Sequence, residues 1–141
     1  MANKSAAIGV FDSGVGGLSV VQQIQAQLPH ENILYLGDTA RVPYGSKSTD
    51  SVLKYTRQCA DKLVAADVKA LVIACNTAAS VGTEVLRASY PNIPIIGVIE
   101  PGASAAVSHT KNGHVAVIAT ESTIAAGSYV RAIHALNPDI E

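Results

Sequence analysis

Short apolar runs alternate with longer amphipathic runs along most of the sequence, and this alternation constrains the fold more than any other feature. The apolar runs have the length and residue types of buried strands, and the amphipathic runs place apolar residues at helical spacing. Repeated strand–helix units connect by right-handed crossovers, which predicts an α/β fold with a mostly parallel sheet flanked by helices. The predicted strands are residues 6–11, 33–36, 70–74, 95–99 and 115–119.

The amphipathic runs predict one helix after each strand. The clearest follows Ser48, which can cap its first turn; a further helix is expected over 102–110, and the last runs to Leu136. The strand over 70–74 has no polar residue, so we expect it to be central and covered on both faces. The first helix is expected to bury Leu18, Val21, Ile24 and Leu28, and the second Val52, Tyr55, Cys59 and Leu63.

The composition excludes several classes of function. Ten Lys and Arg residues stand against eleven Asp and Glu residues, so no basic surface is available for nucleic acid or an anionic membrane. No apolar run reaches the roughly 18 residues of a membrane-spanning helix, and the N-terminus lacks a signal-peptide core. The two cysteines and four scattered histidines match neither a disulfide scaffold nor a metal site. We therefore expect a soluble, cytoplasmic protein that binds no metal.

Polar residues follow nearly every predicted strand. In a parallel sheet, ligands bind beyond the carboxyl ends of the strands, so a functional site is expected there. The glycines after the first strand match neither the dinucleotide-binding pattern nor the phosphate-binding P-loop. The polar residues at the predicted strand ends are Asp12 and Ser13, Asp38 and Thr39, Cys75 to Thr77, Glu100, and Thr120.

Cys75 is the strongest single candidate, because it lies between an apolar strand and a helix N-terminus, where a thiolate is favoured. The alternative is a small buried core side chain, and this is the interpretation we prefer for Cys59, which lies mid-helix. Asp12 and Ser13 either cap a helix or hold an anionic ligand with its backbone N–H groups. Asp38 is equally compatible with acid–base chemistry and with loop capping.

Three segments, taken together, point to one protein family: FDSGVGG at 11–17, LGDTARVPYG at 36–45 and ACNTA at 74–78. In residues, order and spacing they closely resemble the glutamate racemases, which belong to the cofactor-independent aspartate/glutamate racemase superfamily. The likeness extends from Ile8 to the end of the chain. The resemblance implies interconversion of L- and D-glutamate without a cofactor, which supplies D-glutamate for bacterial peptidoglycan.

The resemblance also implies roles for individual residues. The family uses two cysteines on opposite faces of the substrate Cα, one removing the proton and the other returning one. Cys75 matches the first, with Asp12 and Asp38 as assisting carboxylates. Thr120 is a further candidate for reaching the substrate. The residues that match the family's substrate contacts are Asp12, Ser13, Tyr44, Gly45, Asn76 and Thr77.

The sequence departs from the family in one respect. Family members are longer and consist of two similar α/β domains, and their second cysteine lies in a Gly-Cys-Thr-His motif that is absent here. The resemblance therefore predicts a first domain over 1–99 and the beginning of a second over 100–141, inactive by themselves. Aspartate racemase of the same superfamily and a non-catalytic binding module are the alternatives. The family also makes a homodimer possible.

Overall fold

A computed structural model describes residues 5–141 and contains one four-stranded sheet in that range. The strands are β1 (Ile8–Asp12), β2 (Ile33–Gly37), β3 (Ala70–Ile73) and β4 (Ile95–Gly97). Their order in the sheet is β2-β1-β3-β4, and all neighbours pair in parallel. The predicted α/β class is confirmed.

Helices connect the strands and continue after the last of them. A short 3-10 helix at Thr39–Arg41 follows β2. No helix within residues 5–141 is both long and apolar enough to cross a membrane. The α-helices are α1 (Leu18–Gln27), α2 (Thr49–Ala65), α3 (Asn76–Ser89), α4 (Ile99–His109), α5 (Glu121–Ala126) and α6 (Ser128–Leu136).

The core lies on both faces of the two inner strands. Successive residues of a strand point to opposite faces, so Phe11 and Ile73 enter a large cluster with α2 and α3. Val10 and Val72 enter a smaller cluster with α1 on the other face. The prediction that the third strand is central and doubly covered is therefore correct.

The two predicted helix faces have different outcomes. On α2 the predicted face is correct: Val52, Cys59 and Leu63 are buried, and Tyr55 is partly buried against the same cluster. The Ser48 side chain caps the helix, as predicted. On α1 only part of the face is buried: Val21 and Ile24 pack on the sheet. Leu18 and Leu28 are 48% and 47% exposed because they project at the two ends of the short helix.

The predicted fifth strand over 115–119 is not formed. A strand needs a partner strand to complete its hydrogen bonds, and within residues 5–141 none lies beside this segment. Val115 instead donates its backbone N–H to the carbonyl of Glu141, at 2.7 Å. The apolar side chains of Val115 and Val117 contact a small cluster that includes Ile133 and Ile140.

Two helix boundaries also differ from prediction. The last helix is interrupted at Gly127, whose φ of 63° lies in the left-handed region and separates α5 from α6. The strand predicted over 95–99 ends at Gly97, and α4 begins at Ile99, earlier than the predicted start at Gly102. Helix α4 thus crosses the predicted domain boundary at 99/100, and the division into two domains stays a prediction.

The packing of α2 on α3 predicts the cost of one added methyl group. A Cβ at Gly82 would lie 2.6 Å from the Thr56 methyl carbon, too close for an unstrained contact. Alanine favours helix over glycine by about 1 kcal/mol, but overpacking costs about 1–3 kcal/mol. We expect Gly82→Ala to lower the free energy of unfolding, measured by urea denaturation.

The control is the double variant Gly82→Ala with Thr56→Ser, which removes the methyl group that clashes. It should recover most of the lost stability, as a double-mutant cycle would show. A Gly82→Ala single variant that is more stable than the parent protein would contradict the close approach.

Candidate active site

The parallel register brings the carboxyl ends of β1, β2 and β3 to one edge of the sheet. Asp12 is the last residue of β1, Asp38 follows β2 directly, and Cys75 lies two residues beyond β3. The backbone N–H of Asp38 donates to the carbonyl of Asp12 at 2.9 Å, and that of Ala74 to the carbonyl of Phe11 at 2.8 Å. The three predicted polar segments are therefore neighbours, as their positions at strand ends require.

Cys75 occupies the N-cap of α3 and faces the loop after β1. Its thiol donates to Ser13 Oγ at 3.4 Å, and its sulfur accepts the backbone N–H of Ala78, also at 3.4 Å. The residue is 7% exposed. A thiolate here would keep the Ala78 hydrogen bond at the helix end where the dipole favours negative charge. The geometry therefore suits a thiol that exchanges a proton.

Asp12 ends β1 at the same edge of the sheet, and backbone hydrogen bonds hold its carboxylate. Oδ2 accepts the N–H groups of Gly14 and Gly17, each at 3.1 Å, and the residue is buried. These bonds hold the loop between β1 and α1. Asp12 does not cap α1 itself, because the N-cap is Gly17 and the first turn receives no side-chain capping bond, so the capping interpretation is wrong. The same bonds also fix the orientation of the carboxylate, which leaves Oδ1 available for a ligand.

Tyr35 belongs to the same site, although the sequence analysis placed it in an ordinary strand. Its hydroxyl donates to the carbonyl of Gly14 at 2.9 Å. Burial raises the pKa of Tyr35, and the nearby charges of Asp12 and Cys75 raise it further. The phenol therefore stays protonated and continues to donate. In the sequence, the one signal for Tyr35 is a hydroxyl-bearing side chain within the apolar run at 33–36.

Asp38 and Tyr44 form a second, more enclosed cluster. The Asp38 carboxylate pairs with Arg41 at 2.7 Å and accepts the Tyr44 hydroxyl; both Asp38 and Tyr44 are buried. Burial raises the pKa of Tyr44, and the hydrogen bond to Asp38 raises it further. The Tyr44 hydroxyl thus bonds to Asp38, so these two predicted site residues support the loop between β2 and α2.

Cys59 lies beside this cluster as a core residue, as predicted. Its sulfur is 4.0 Å from the Tyr44 hydroxyl, and it is 1% exposed. Burial raises the pKa of the Cys59 thiol, and the charge of Asp38 raises it further. Cys59 is therefore held as a neutral thiol.

Three threonine hydroxyls form a further cluster. Thr77 Oγ1 lies 2.9 Å from Thr120 Oγ1 and 3.3 Å from Thr123 Oγ1, and the last two are 3.0 Å apart. Thr120 also caps α5, which places Thr123 one helical turn along. Thr123 was missed by the sequence analysis, although its spacing from a capping Thr120 is a usable signal. The cluster offers hydroxyl donors to an anionic group.

The remaining candidates are divided between the site and its surroundings. Asn76 Oδ1 accepts the hydroxyl of Tyr129 at 2.6 Å, and Gly45 lies against Thr120. In the sequence, Glu100 is noted only as a polar residue at a predicted strand end. It lies in α4 and pairs through both oxygens with Arg87, at 2.7 and 2.8 Å. That hydrogen bonding lowers the pKa of Glu100.

The chemistry of the site is that of a thiol, an oriented carboxylate and several uncharged donors. No group of three or more His, Cys, Asp and Glu side chains in residues 5–141 could hold a metal ion. The arrangement can move a proton at sulfur and can bind carboxylate groups through hydroxyl and amide donors.

Comparison with known proteins identifies similar chains. The family described as Asp/Glu/Hydantoin racemase matches residues 8–139. The glutamate racemase of Geobacter metallireducens is 51% identical over 135 residues, covering 96% of this chain and 50% of that protein. The chain spans about half the length of the curated relatives it matches.

Solved structures agree with the sequence relatives. A glutamate racemase isoform from Bacillus anthracis superposes with a TM-score of 0.93 at 46% identity, covering 96% of this chain and 51% of that one. The glutamate racemase of Francisella tularensis, solved in complex with D-glutamate, gives a TM-score of 0.90 at 42% identity. The superposition covers 97% of this chain and 51% of the Francisella tularensis chain.

The two thiols are expected to differ in reactivity. The raised pKa of Cys59 reduces its thiolate fraction at any pH below that pKa, and the side chain is almost inaccessible. At about pH 8, near the ordinary thiol pKa, we expect iodoacetamide to alkylate Cys75 at least about tenfold faster than Cys59. Peptide mass spectrometry measures both rates, and the difference should narrow as the pH rises.

Unfolding in urea is the control, because it should make the two rates similar. Equal rates in the folded protein would contradict the different environments of Cys59 and Cys75.

Proposed function

The chain belongs to the Asp/Glu/Hydantoin racemase family, and from this premise we propose that it forms one half of the catalytic site of a glutamate racemase. The observation that carries the proposal is Cys75 at the N-cap of α3, bonded to Ser13, at the edge of the sheet where β1 ends in Asp12. The relatives named glutamate racemase support glutamate as the substrate.

The proposed reaction is proton transfer at the substrate Cα. The Cys75 thiolate takes the proton as the Cα–H bond breaks, and the electron pair stays on carbon, delocalised into the α-carboxylate. An S–H acid on the opposite face then protonates the carbon, which inverts the centre. One group alone would return the proton to the face from which it came.

The second acid is proposed to come from the half of the relatives that this chain does not match. Cys59 cannot serve, because it is buried beside Tyr44 and its pKa is raised. Cys75 therefore removes the Cα proton in one direction of the reaction, and a second thiol lies on the opposite side of the substrate.

The substrate carboxylates would be bound by uncharged donors. Thr77 and Thr120 each have a hydroxyl that can turn from its neighbour towards an incoming oxygen, and the Asn76 amide offers N–H donors. Donors placed where charge develops lower the barrier most in a site shielded from water. Asp12 Oδ1 is proposed to accept the substrate ammonium group.

Asp38 and Tyr44 would contribute less directly. We assign them to holding the loop that carries Gly45, because their polar groups bond to each other and to Arg41. Contact between this loop and the substrate would then come from the backbone at Gly45.

The cellular setting extends the same proposal. The D-glutamate formed would be used for peptidoglycan in the cytoplasm, and the complete protein would act as a homodimer. Aspartate racemisation is the competing activity to measure.

The decisive variant is Cys75→Ser in the complete protein that contains this segment. Removing a general base typically costs about 10²–10⁴-fold in rate, so we expect a loss of that size in kcat/KM in at least one direction. Circular dichroism of L- and D-glutamate follows the reaction, with aspartate assayed in parallel. Cys59→Ala is the matched control and should retain activity within a few-fold.

Full activity of Cys75→Ser would overturn the assigned role. The 141-residue chain alone is expected to form no D-glutamate, because it holds only one of the two thiols that the proposed reaction requires. Rapid racemisation by that chain would contradict the two-thiol proposal.

A further inference from the structure

We propose that Ser122 is a positioning residue for substrate binding, because it fixes the turn that carries Gly45 against helix α5. The turn comprises residues 44–47 and is called the Gly45 turn below. The effect of Ser122 on catalysis rests on the proposed racemase function.

Three polar contacts join Ser122 to the Gly45 turn. Its Oγ lies 2.9 Å from the carbonyl oxygen of Gly45 and 3.1 Å from that of Lys47. Its backbone N–H donates to the same Gly45 carbonyl at 3.3 Å. A serine hydroxyl has one proton, so the two carbonyls share it. Losing this hydroxyl would therefore weaken the attachment at two points of the turn.

The turn is held at a defined distance from the threonine cluster. A Cβ at position 45 would lie 2.6 Å from both Cβ and Cγ2 of Thr120, so only glycine allows the backbone to approach this closely. The Thr120 hydroxyl in turn contacts Thr77. Ser122 thus fixes the Gly45 backbone beside the hydroxyl groups proposed to bind substrate.

Contacts other than those of Ser122 also hold α5, because the hydroxyls of Thr120 and Thr123 lie 2.9 and 3.3 Å from that of Thr77 in α3. The adjoining α6 is tied to α3 by Ser128, whose Oγ donates to the carbonyl of Ser80 at 2.7 Å, and by Tyr129, which bonds to Asn76. Removing the Ser122 hydroxyl should therefore release the Gly45 turn and leave α5 in place.

A conservative variant can test the hydroxyl itself. A cavity of about 550 Å³ adjoins Ser122 and is lined by Ser80, Val81 and Ala125, among others. It has room for one more methyl group, so Ser122→Thr should keep the hydrogen bonds. Ser108→Ala is the matched control, because among residues 5–141 the bonds of Ser108 Oγ are local to α4, to the carbonyl of Ala105 and to His109.

The experiment compares Ser122→Ala, Ser122→Thr and Ser108→Ala in the complete protein. Hydrogen exchange should rise in peptides covering residues 42–48 of Ser122→Ala and stay unchanged in β1. A neutral hydrogen bond contributes about 0.5–1.5 kcal/mol, so we expect the KM for glutamate to rise by up to about tenfold, with kcat nearly unchanged. Ser122→Thr and Ser108→Ala should behave like the parent protein.

The outcomes separate this inference from the proposed function. A folded parent protein that does not racemise glutamate would refute the proposed function. The hydrogen-exchange data would still show whether Ser122 holds the Gly45 turn. Unchanged exchange, unchanged KM, a fall in kcat alone, or failure of Ser122→Thr to restore KM would each overturn the role of Ser122. A rise in exchange throughout α2 and α3 would also overturn it, as general destabilisation.

Discussion

The pairing of β1 with β2 on one side and β3 on the other is the constraint on which the remaining structure depends. It aligns Asp12 with Gly37 and Phe11 with Ile73, so the residues after all three strands meet at one edge. The register is fixed because a shift of one residue would exchange Val10 and Phe11 between two different apolar clusters. The thiol, the carboxylate and their backbone donors take their relative positions from this register.

Local sequence patterns were sufficient where the deciding interactions are local. The predictions of α2 and β3 are correct. The capping residue and apolar face of α2, and the continuous apolar run of β3, can be read directly from the sequence. Residues 115–119 have the same apolar character as β3, yet they form no strand. Strand formation requires a neighbour, and a neighbour distant in sequence leaves no trace in the segment itself.

The candidate site was predictable in its chemical types and less so in its supporting contacts. Cys75, Asp12 and Ser13 could be found because strand ends in a parallel sheet are expected to carry a site. Glu100 satisfies the same criterion, yet its carboxylate pairs with Arg87, and position at a strand end alone does not reveal that pairing. Ser122 and Tyr129 act through contacts across long stretches of sequence, which periodicity does not reveal.

These separations have a consequence for the order in which the protein folds. The bond between Ser122 and Gly45 spans 77 positions, which is more than the separation of paired residues in β1 and β3, such as Ile8 and Ala70. The entropy lost on closing a chain segment rises with its length, so such contacts gain stability only after nearer ones have formed. During synthesis, β1, β2 and β3 can pair before α5 exists. We therefore expect the sheet to form before the Gly45 turn is attached to α5.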